Sequence, residues 1–212
     1  MKLIRRQYQE GYHQAIFTRE ADFSQRNRTR LGLIMRYRPG GKLLEIGCGM
    51  GGFLRLAETH FAVQGIDLSR AAIEALRPHF GERVSLLNFE QRPLPGMGYD
   101  VIAAFNLLEH LRQPAKAAER LYHALGAGGL LAGSVPNNYG LVGGINTRLT
   151  NFFDRTHVST LTPQAWRRIF QHAGFQDVRF FGEVTLGPNR CRYITGRVWP
   201  YLSFNLMFVC LK

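Results

Sequence analysis

Short apolar runs alternate with stretches of helical spacing through the middle of the chain. Residues 42–46 read as a strand, followed by a glycine-rich turn and an apolar helix from 52 to about 60. Residues 62–67 form the next strand. Ser69 then starts a helix reaching about Pro78, because its hydroxyl suits an orphan backbone N–H at a helix start. Residues 84–88 and 99–106 are further strands. Residues 114–125 have helical spacing, with Ala115, Ala118, Leu121 and Leu125 on one face. The glycine-rich run 126–129 ends that helix, and 130–135 is a strand. Such alternation predicts βαβ units and a parallel sheet covered on both faces. Ligands of such sheets lie beyond the carboxyl ends of the strands.

The pattern breaks at Pro136. Residues 137–161 are rich in Gly, Asn and Thr without a clear period, and a connection that long in a compact domain is usually functional. Its Gly143-Gly144 pair is read as the hinge of a lid. Thr162 and Pro163 start a helix, as N-cap and first helical residue, that ends near Gly174. Residues 176–185 are a strand, 187–200 an arginine-rich connection and 203–211 the last strand. Residues 1–38 read as helical, with Tyr8, Tyr12, Ile16 and Phe17 at helix spacing, and would cover one end of the sheet. The expectation is a single domain over 1–212. It has a helical cover (1–38), a core (39–135) and a part (136–212) holding the long loop and the C-terminal strands.

A length of 212 residues fits one domain with its own core. Cys48, Cys191 and Cys210 are scattered, odd in number and without metal-ligand spacing, which points to reduced thiols and a cytoplasmic location. The basic start, Met1 to Gln7, lacks the apolar run of a signal peptide. The late apolar stretch 202–211 contains Ser203 and Asn205 and is shorter than the roughly 20 residues of a membrane span. The net charge of +12 is unevenly placed. Residues 1–40 carry nine basic and three acidic side chains, 41–144 nine of each, and 145–212 again nine and three. Basic flanks around a neutral middle suit an anionic substrate, an anionic membrane surface or nucleic acid. They equally suit a plain basic surface.

The candidate chemistry sits in the neutral middle. Gly47, Gly49 and Gly51 alternate directly after a strand and before a helix, where glycine allows a tight turn and close approach to a ligand. By itself that pattern also fits a nicotinamide or flavin site. Glu45, two residues earlier, is placed to engage a ligand ammonium, and Asp67 at the end of the second strand to accept two ribose hydroxyls. Asp67 alone equally fits NAD. The Gly-x-Gly-x-Gly spacing and the two acids together favour S-adenosylmethionine.

At these residues the chain resembles class I S-adenosylmethionine-dependent methyltransferases. Residues 43–51, Leu-Leu-Glu-Ile-Gly-Cys-Gly-Met-Gly, are similar to the family's first motif, and Gly65-Ile66-Asp67-Leu68-Ser69 to its ribose-binding motif. Asn88-Phe89-Glu90 with Pro93-Leu94-Pro95 and Tyr99-Asp100-Val101-Ile102 resembles the adenine-holding segment. Asn106-Leu107-Leu108-Glu109-His110-Leu111 resembles the segment after strand four. Asp154-Arg155-Thr156-His157, Leu161-Thr162-Pro163 and His172-Ala173-Gly174-Phe175 are similar to the C-terminal part of a group that includes ubiquinone-biosynthesis O-methyltransferases. The resemblance covers roughly residues 27–180. It implies a Rossmann-like α/β three-layer sandwich with a seven-stranded, mostly parallel sheet, ordered 3-2-1-4-5-7-6 with the last strand antiparallel.

The resemblance also implies roles. Glu45, Gly47 and Gly49 would line the methionyl part, with Cys48 inside the same loop. Asp67 and the adjacent Leu68 would take the ribose side. Asn88 would bind the adenine amino group and the Phe89 N–H a ring nitrogen. The Phe105 and Asn106 backbone would lie near the methionyl amine, and Arg30 matches an arginine that meets the cofactor carboxylate. A guanidinium fork suits that group. Asn106 departs from the acidic residue of a proposed divalent-metal set in the quinone enzymes, and asparagine is a poorer ligand for a hard cation. No metal is therefore expected.

Methyl transfer to oxygen needs alignment and a proton acceptor, and histidine suits that near neutral pH. Of seven histidines, His110 falls just beyond strand four and His157 in the long loop beside Asp154, which would orient it or else pair with Arg155 or Arg148. These three are the candidate catalytic residues, with loop-orienting roles as the competing assignment for the histidines. His60, His79, His123 and His172 fall near helix ends, where capping or exposure is expected. The expected activity is methyl transfer, at oxygen, to a small-molecule or lipid-like acceptor that would suit the basic flanks if anionic. Peripheral contact with an anionic membrane belongs with that reading. An RNA methyltransferase is the alternative that the basic flanks prompt; against it, there is no RNA-recognition module, zinc cluster or Asn/Asp-Pro-Pro-aromatic tetrad. Two further function classes compete with methyl transfer: a non-catalytic S-adenosylmethionine-binding protein and a nicotinamide-dependent oxidoreductase. The acceptor and the oligomeric state are not written in any motif.

Overall fold

The computed structural model describes residues 20–137, 157–159, 161–185, 191–194, 203 and 205–212. Tyr8, Tyr12, Ile16, Phe17, Gly143, Gly144, Arg148, Asp154 and Arg155 lie outside these residues. The described elements are α1 (Glu20–Met35), β1 (Gly41–Ile46), α2 (Gly52–Ala57), β2 (Phe61–Asp67), α3 (Arg70–Phe80), β3 (Val84–Leu86) and β4 (Tyr99–Phe105). Then come α4 (Pro114–Ala124), β5 (Leu125–Pro136), α5 (Pro163–His172), β6 (Asp177–Thr185), β7 (Cys191–Ile194) and β8 (Asn205–Leu211). Single 3-10 turns lie at Gly81–Arg83 and Leu108–His110.

The sheet has the order β3-β2-β1-β4-β5-β8-β6-β7. β1 to β5 run parallel, β8 is antiparallel to both β5 and β6, and β7 is antiparallel to β6. The Rossmann-like expectation therefore holds with one strand added. Cys191–Ile194, within the segment read as an arginine-rich connection, folds back on β6 as an edge strand. Four residues are too few to show a period of two, so the sequence hid it. A second difference lies at β5, which starts at Leu125 rather than 130. Leu125 pairs with Tyr99, the register then shifts, and pairing resumes at Leu130 with Val101. The glycine run is thus a bulge inside the strand, with Gly128 at φ +66°, and not a separate turn.

Consecutive strand residues feed opposite faces, as the pleat requires. Leu44, Ile102 and Leu131 point to the face covered by α4 and α5, with Trp166, Phe170 and Phe208 filling it. Leu43, Val101 and Leu130 point to the face covered by α1, α2 and α3, with Ile34, Leu54 and Leu76 above them. The two expected caps form: Ser69 Oγ accepts from Ala72 N at 3.2 Å and Thr162 Oγ1 from Ala165 N at 3.2 Å. α1 packs on α2 and reaches across to β7. No helix among the described residues is long and apolar enough to cross a membrane.

Candidate active site

Strand order reverses between β1 and β4, and the crevice beyond their carboxyl ends is where ligands of such sheets bind. The loop after β1 is held by its neighbour strand. Gly47 N and Cys48 N both donate to Ile66 O, at 2.8 and 3.1 Å. The turn then tightens through Gly51 N to Cys48 O at 2.8 Å. Gly49 has φ +49°, and a Cβ there would meet nothing within 4 Å, so the backbone lies open to a ligand. Gly51 has φ +77°, and a Cβ would come within 2.6 Å of Leu76, so glycine serves packing there. Cys48 is buried, and burial pushes its thiol well above the usual range; it lines the loop as an inert side chain.

Asp67 closes this loop from below. Its Oδ2 accepts from Gly49 N and its Oδ1 from Ser69 N, each at 2.8 Å. The carboxylate thus organises the loop at the strand end where ribose hydroxyls are expected. Leu68, next to it, is 59 % exposed and offers an apolar surface at the strand end. Leu87 N donates to Asp67 O at 2.9 Å and brings the next strand's exit alongside. There Asn88 Oδ1 accepts from Glu90 N at 3.0 Å, and Phe89 is buried under the Arg120 guanidinium, 5.3 Å from the ring centroid. Arg120 also donates to the carbonyls of Phe89 and Arg92, so α4 fixes this turn. Sequence reading missed Arg120, which only the packing of α4 reveals.

Glu45 supplies the site's clearest ligand signal. It is 5 % exposed, and its Oε2 is buried without a hydrogen-bond partner among the described residues. Burial raises its carboxyl well above the ordinary carboxylate range; nearby Arg30 pulls it down and Asp67 pushes it up. An unsatisfied buried carboxylate costs on the order of 1–3 kcal/mol or more, which a bound cation would offset. Arg30, 6 % exposed, lies over the Phe105 ring at 4.4 Å and donates from Nη2 to Ser134 Oγ at 3.1 Å and from Nε to Glu183 Oε2 at 3.4 Å. A buried carboxylate beside a buried guanidinium matches the ammonium and carboxylate of an amino acid, as carried by the methionyl end of S-adenosylmethionine. The open Gly49 and the Asp67 carboxylate extend the same cradle toward a ribose, so the residues present fit that group.

Asn106 is the one non-glycine residue at positive φ (49°) among the described residues. Asparagine tolerates that conformation better than most side chains. Its N donates to Ser134 O at 2.8 Å, and its Oδ1 accepts from Ser134 Oγ at 3.0 Å. Its side chain therefore turns to β5.

His110 and His157, expected from separate segments, come together with ring centroids 4.7 Å apart and planes at 59°. Val158 N and Ser159 N donate to Glu109 O at 3.0 and 2.9 Å, and Ser159 Oγ donates to Leu111 O at 2.7 Å. The segment carrying His157 is thus strapped to the turn carrying His110. Asp154, the proposed third member, lies outside the described residues. Glu109 joins the pair instead, and one ligand atom from each of Glu109, His110 and His157 lies within 4.8 Å of the others. Two imidazoles and a carboxylate could accept a proton or hold a first-row divalent ion. Spacing along the chain conceals this cluster: sequence reading quoted Glu109 only within the segment after strand four and gave it no site role.

Comparison with known proteins agrees with this geometry. A family model described as a methyltransferase domain matches residues 13–179. The probable S-adenosylmethionine-dependent methyltransferase of Mycolicibacterium smegmatis is 30 % identical over 140 residues, covering 65 % of this chain and 52 % of that protein. The ubiquinone biosynthesis O-methyltransferase of Nitrosospira multiformis is 35 % identical over 98 residues, 42 % of this chain and 41 % of its own. The chain spans about half the length of the curated relatives it matches. Among solved structures it is similar to an S-adenosylmethionine-dependent methyltransferase, possible histamine N-methyltransferase, of Thermotoga maritima. The TM-score is 0.71 at 16 % identity, covering 94 % of this chain and 95 % of that one. It is also similar to the phosphoethanolamine N-methyltransferase 2 of Haemonchus contortus in complex with phosphomonomethylethanolamine and S-adenosylhomocysteine. There the TM-score is 0.63 at 22 % identity, with 79 % and 43 % covered. At these identities the structural likeness is one of fold. The family match spans the cofactor crevice and most of the chain: the protein belongs to the methyltransferase-domain family, within the class I S-adenosylmethionine-dependent superfamily.

Proposed function

We propose that this chain methylates an oxygen of a small-molecule or lipid-like acceptor, with anionic acceptors favoured by its basic flanks. The observation that carries the oxygen assignment is the His110–His157 pair, held together just beyond the carboxyl end of β4. A hydroxyl is a weak nucleophile until its proton is removed, and a positioned imidazole contributes about 10²–10⁴-fold to such a step. S-adenosylmethionine, when bound, supplies a methyl group on a sulfonium, already a good leaving group. The chain's own residues do the rest. Glu45 and Arg30 hold the amino-acid end, the Gly47–Gly51 backbone lets it approach, and Asp67 holds the ribose. Asn88 and Phe89 present the turn for the base, and His110 or His157 takes the acceptor proton. The neutral middle and basic ends divide the work: the crevice keeps the cofactor, and the flanks draw the acceptor, including one seated in an anionic membrane surface.

A second reading rests on the Glu109–His110–His157 cluster, which could instead hold a divalent cation that lowers the acceptor's pKa. Methyl transfer from isotopically labelled S-adenosylmethionine into metabolite and lipid extracts tests the main proposal. A methylated oxygen in the product supports it. Label appearing only at nitrogen or carbon, or no transfer although the cofactor binds, overturns it. Turnover that survives metal chelation favours the base, and turnover lost to chelation and restored by zinc favours the cation.

A further inference from the structure

We infer that Glu183 is a positioning residue for the cofactor's carboxylate: it acts through Arg30, whose guanidinium it locks in place across the sheet. The inference rests on the reading of Arg30 and Glu45 as the clamp for the methionyl end. Glu183 lies in β6 on the face that α1 covers, and it is 1 % exposed. A carboxylate in the middle of a packed strand is costly unless its oxygens are filled. They are filled by cations of the covering helix. Arg26 Nε lies 3.0 Å from Oε1, Arg30 Nε 3.4 Å from Oε2, and Asn205 Nδ2 donates to Oε1 at 3.3 Å.

The consequence falls on Arg30. Three of its degrees of freedom are taken: Nε by Glu183, Nη2 by Ser134 and one flat face by the Phe105 ring. Nη1 makes no hydrogen bond to the described residues. The same guanidinium lies near enough to Glu45 to pull its carboxyl down. Arg30, on α1, thus bridges Glu183 of β6 and the crevice, with Nη1 unused among the described residues. A ligand carboxylate supplies an acceptor for that nitrogen. Without Glu183, Arg26 and Arg30 would repel one another, four residues apart on one helix, and Arg30 would lose the anchor that fixes its Nε.

The test separates positioning from general support. Binding of S-adenosylhomocysteine, which carries the amino-acid end, is measured beside that of 5′-methylthioadenosine, which lacks it. The whole chain is used, by calorimetry. Glu183→Gln should weaken S-adenosylhomocysteine about tenfold or more, the range of one charge-assisted hydrogen bond. It should leave 5′-methylthioadenosine within about twofold, and Glu183→Asp should recover part of the loss. In an Arg30→Gln background, Glu183→Gln should cost nothing further, because the route through Arg30 is already gone. That charge-balanced double variant also carries the test if the single variant folds poorly. Equal loss for both ligands would mean a merely structural role and overturn the inference. So would an unchanged preference for S-adenosylhomocysteine in Glu183→Gln, or a further loss in the Arg30→Gln background. A wild-type chain that bound neither ligand would remove the cofactor reading itself and this inference with it, an outcome distinct from the others.

Discussion

The two sides of the crevice are built in opposite ways. The cofactor side is local: strand, turn and helix follow one another in sequence, and backbone N–H groups and one carboxylate tie the loop to its neighbour strand. The acceptor side is assembled from distant pieces. His110 meets His157 from beyond the long connection, and at the border with the cofactor side Arg30, the clamp for the methionyl end, is held by Ser134 and Glu183, 104 and 153 residues away. The cofactor side lies in the charge-neutral stretch, whereas the other draws on both basic flanks. A cofactor common to a family can be held by a short self-contained unit. An acceptor peculiar to one protein is met by whatever the folded chain brings to the rim.

Breaking the local side should have the largest effect. Asp67→Ala removes the acceptor for Gly49 N and Ser69 N and the expected ribose contact in one step. It should abolish most of the melting-temperature rise given by S-adenosylhomocysteine, which ligand linkage otherwise provides. It should also destabilise the free protein by about 2–3 kcal/mol, through two backbone groups left without a partner. Thermal melts with and without ligand report both. A full ligand shift in the variant would show that Asp67 serves the loop alone.

Glu45→Gln should give two effects of opposite sign. In the free protein the carboxyl is raised chiefly by burial, so its ionisation is a cost at neutral pH. A raised folded pKa stabilises at low pH, and that contribution is lost as pH rises through it. Glutamine removes the cost, so the free variant should be more stable at neutral pH by on the order of 1 kcal/mol. Ligand binding should weaken about tenfold or more. In the wild type the ligand ammonium favours the ionised carboxylate, so binding releases a proton and affinity falls as pH is lowered through the raised pKa. Calorimetry in buffers of different ionisation enthalpy checks the release; none would mean that Glu45 is already ionised in the free protein.

This division also explains what could be read from the chain beforehand. Gly47, Gly49, Gly51, Glu45 and Asp67 were legible because each works within a few residues of a strand end. The helix caps at Ser69 and Thr162 were legible for the same reason. Glu109, Arg120 and Glu183 were not, because their roles depend on which segment packs opposite them. Glu183 reads locally as one acid in a strand pattern, and only the crossing of α1 gives it two arginines. The edge strand Cys191–Ile194 was hidden by its shortness and the bulge at β5 by a glycine run that looks like a turn.

The histidine pair tests the assembled side directly. His157→Gln should lower turnover about 100-fold while leaving the S-adenosylhomocysteine melting shift intact. Loss of both would mean that His157 holds the strap at Glu109 and Leu111, whose backbone carbonyls accept from Val158, Ser159 and the Ser159 hydroxyl.

The smallest effect is expected at the far rim of that side. Tyr193 stands opposite Glu183 in the β6–β7 register, and its hydroxyl is buried without a hydrogen-bond partner among the described residues. Burial and the neighbouring Glu183 push its pKa up, so it stays protonated. A buried donor with no acceptor costs stability, and removing it while keeping the ring should be neutral or gain up to about 1 kcal/mol. Tyr193→Phe should therefore melt at or slightly above the wild type and bind S-adenosylhomocysteine unchanged, since Arg30 is held by Glu183 and not by the tyrosine. If instead the acceptor's KM rises several-fold while cofactor affinity stays put, the hydroxyl is a contact for the acceptor. The assembled side would then extend to the sheet's last strand.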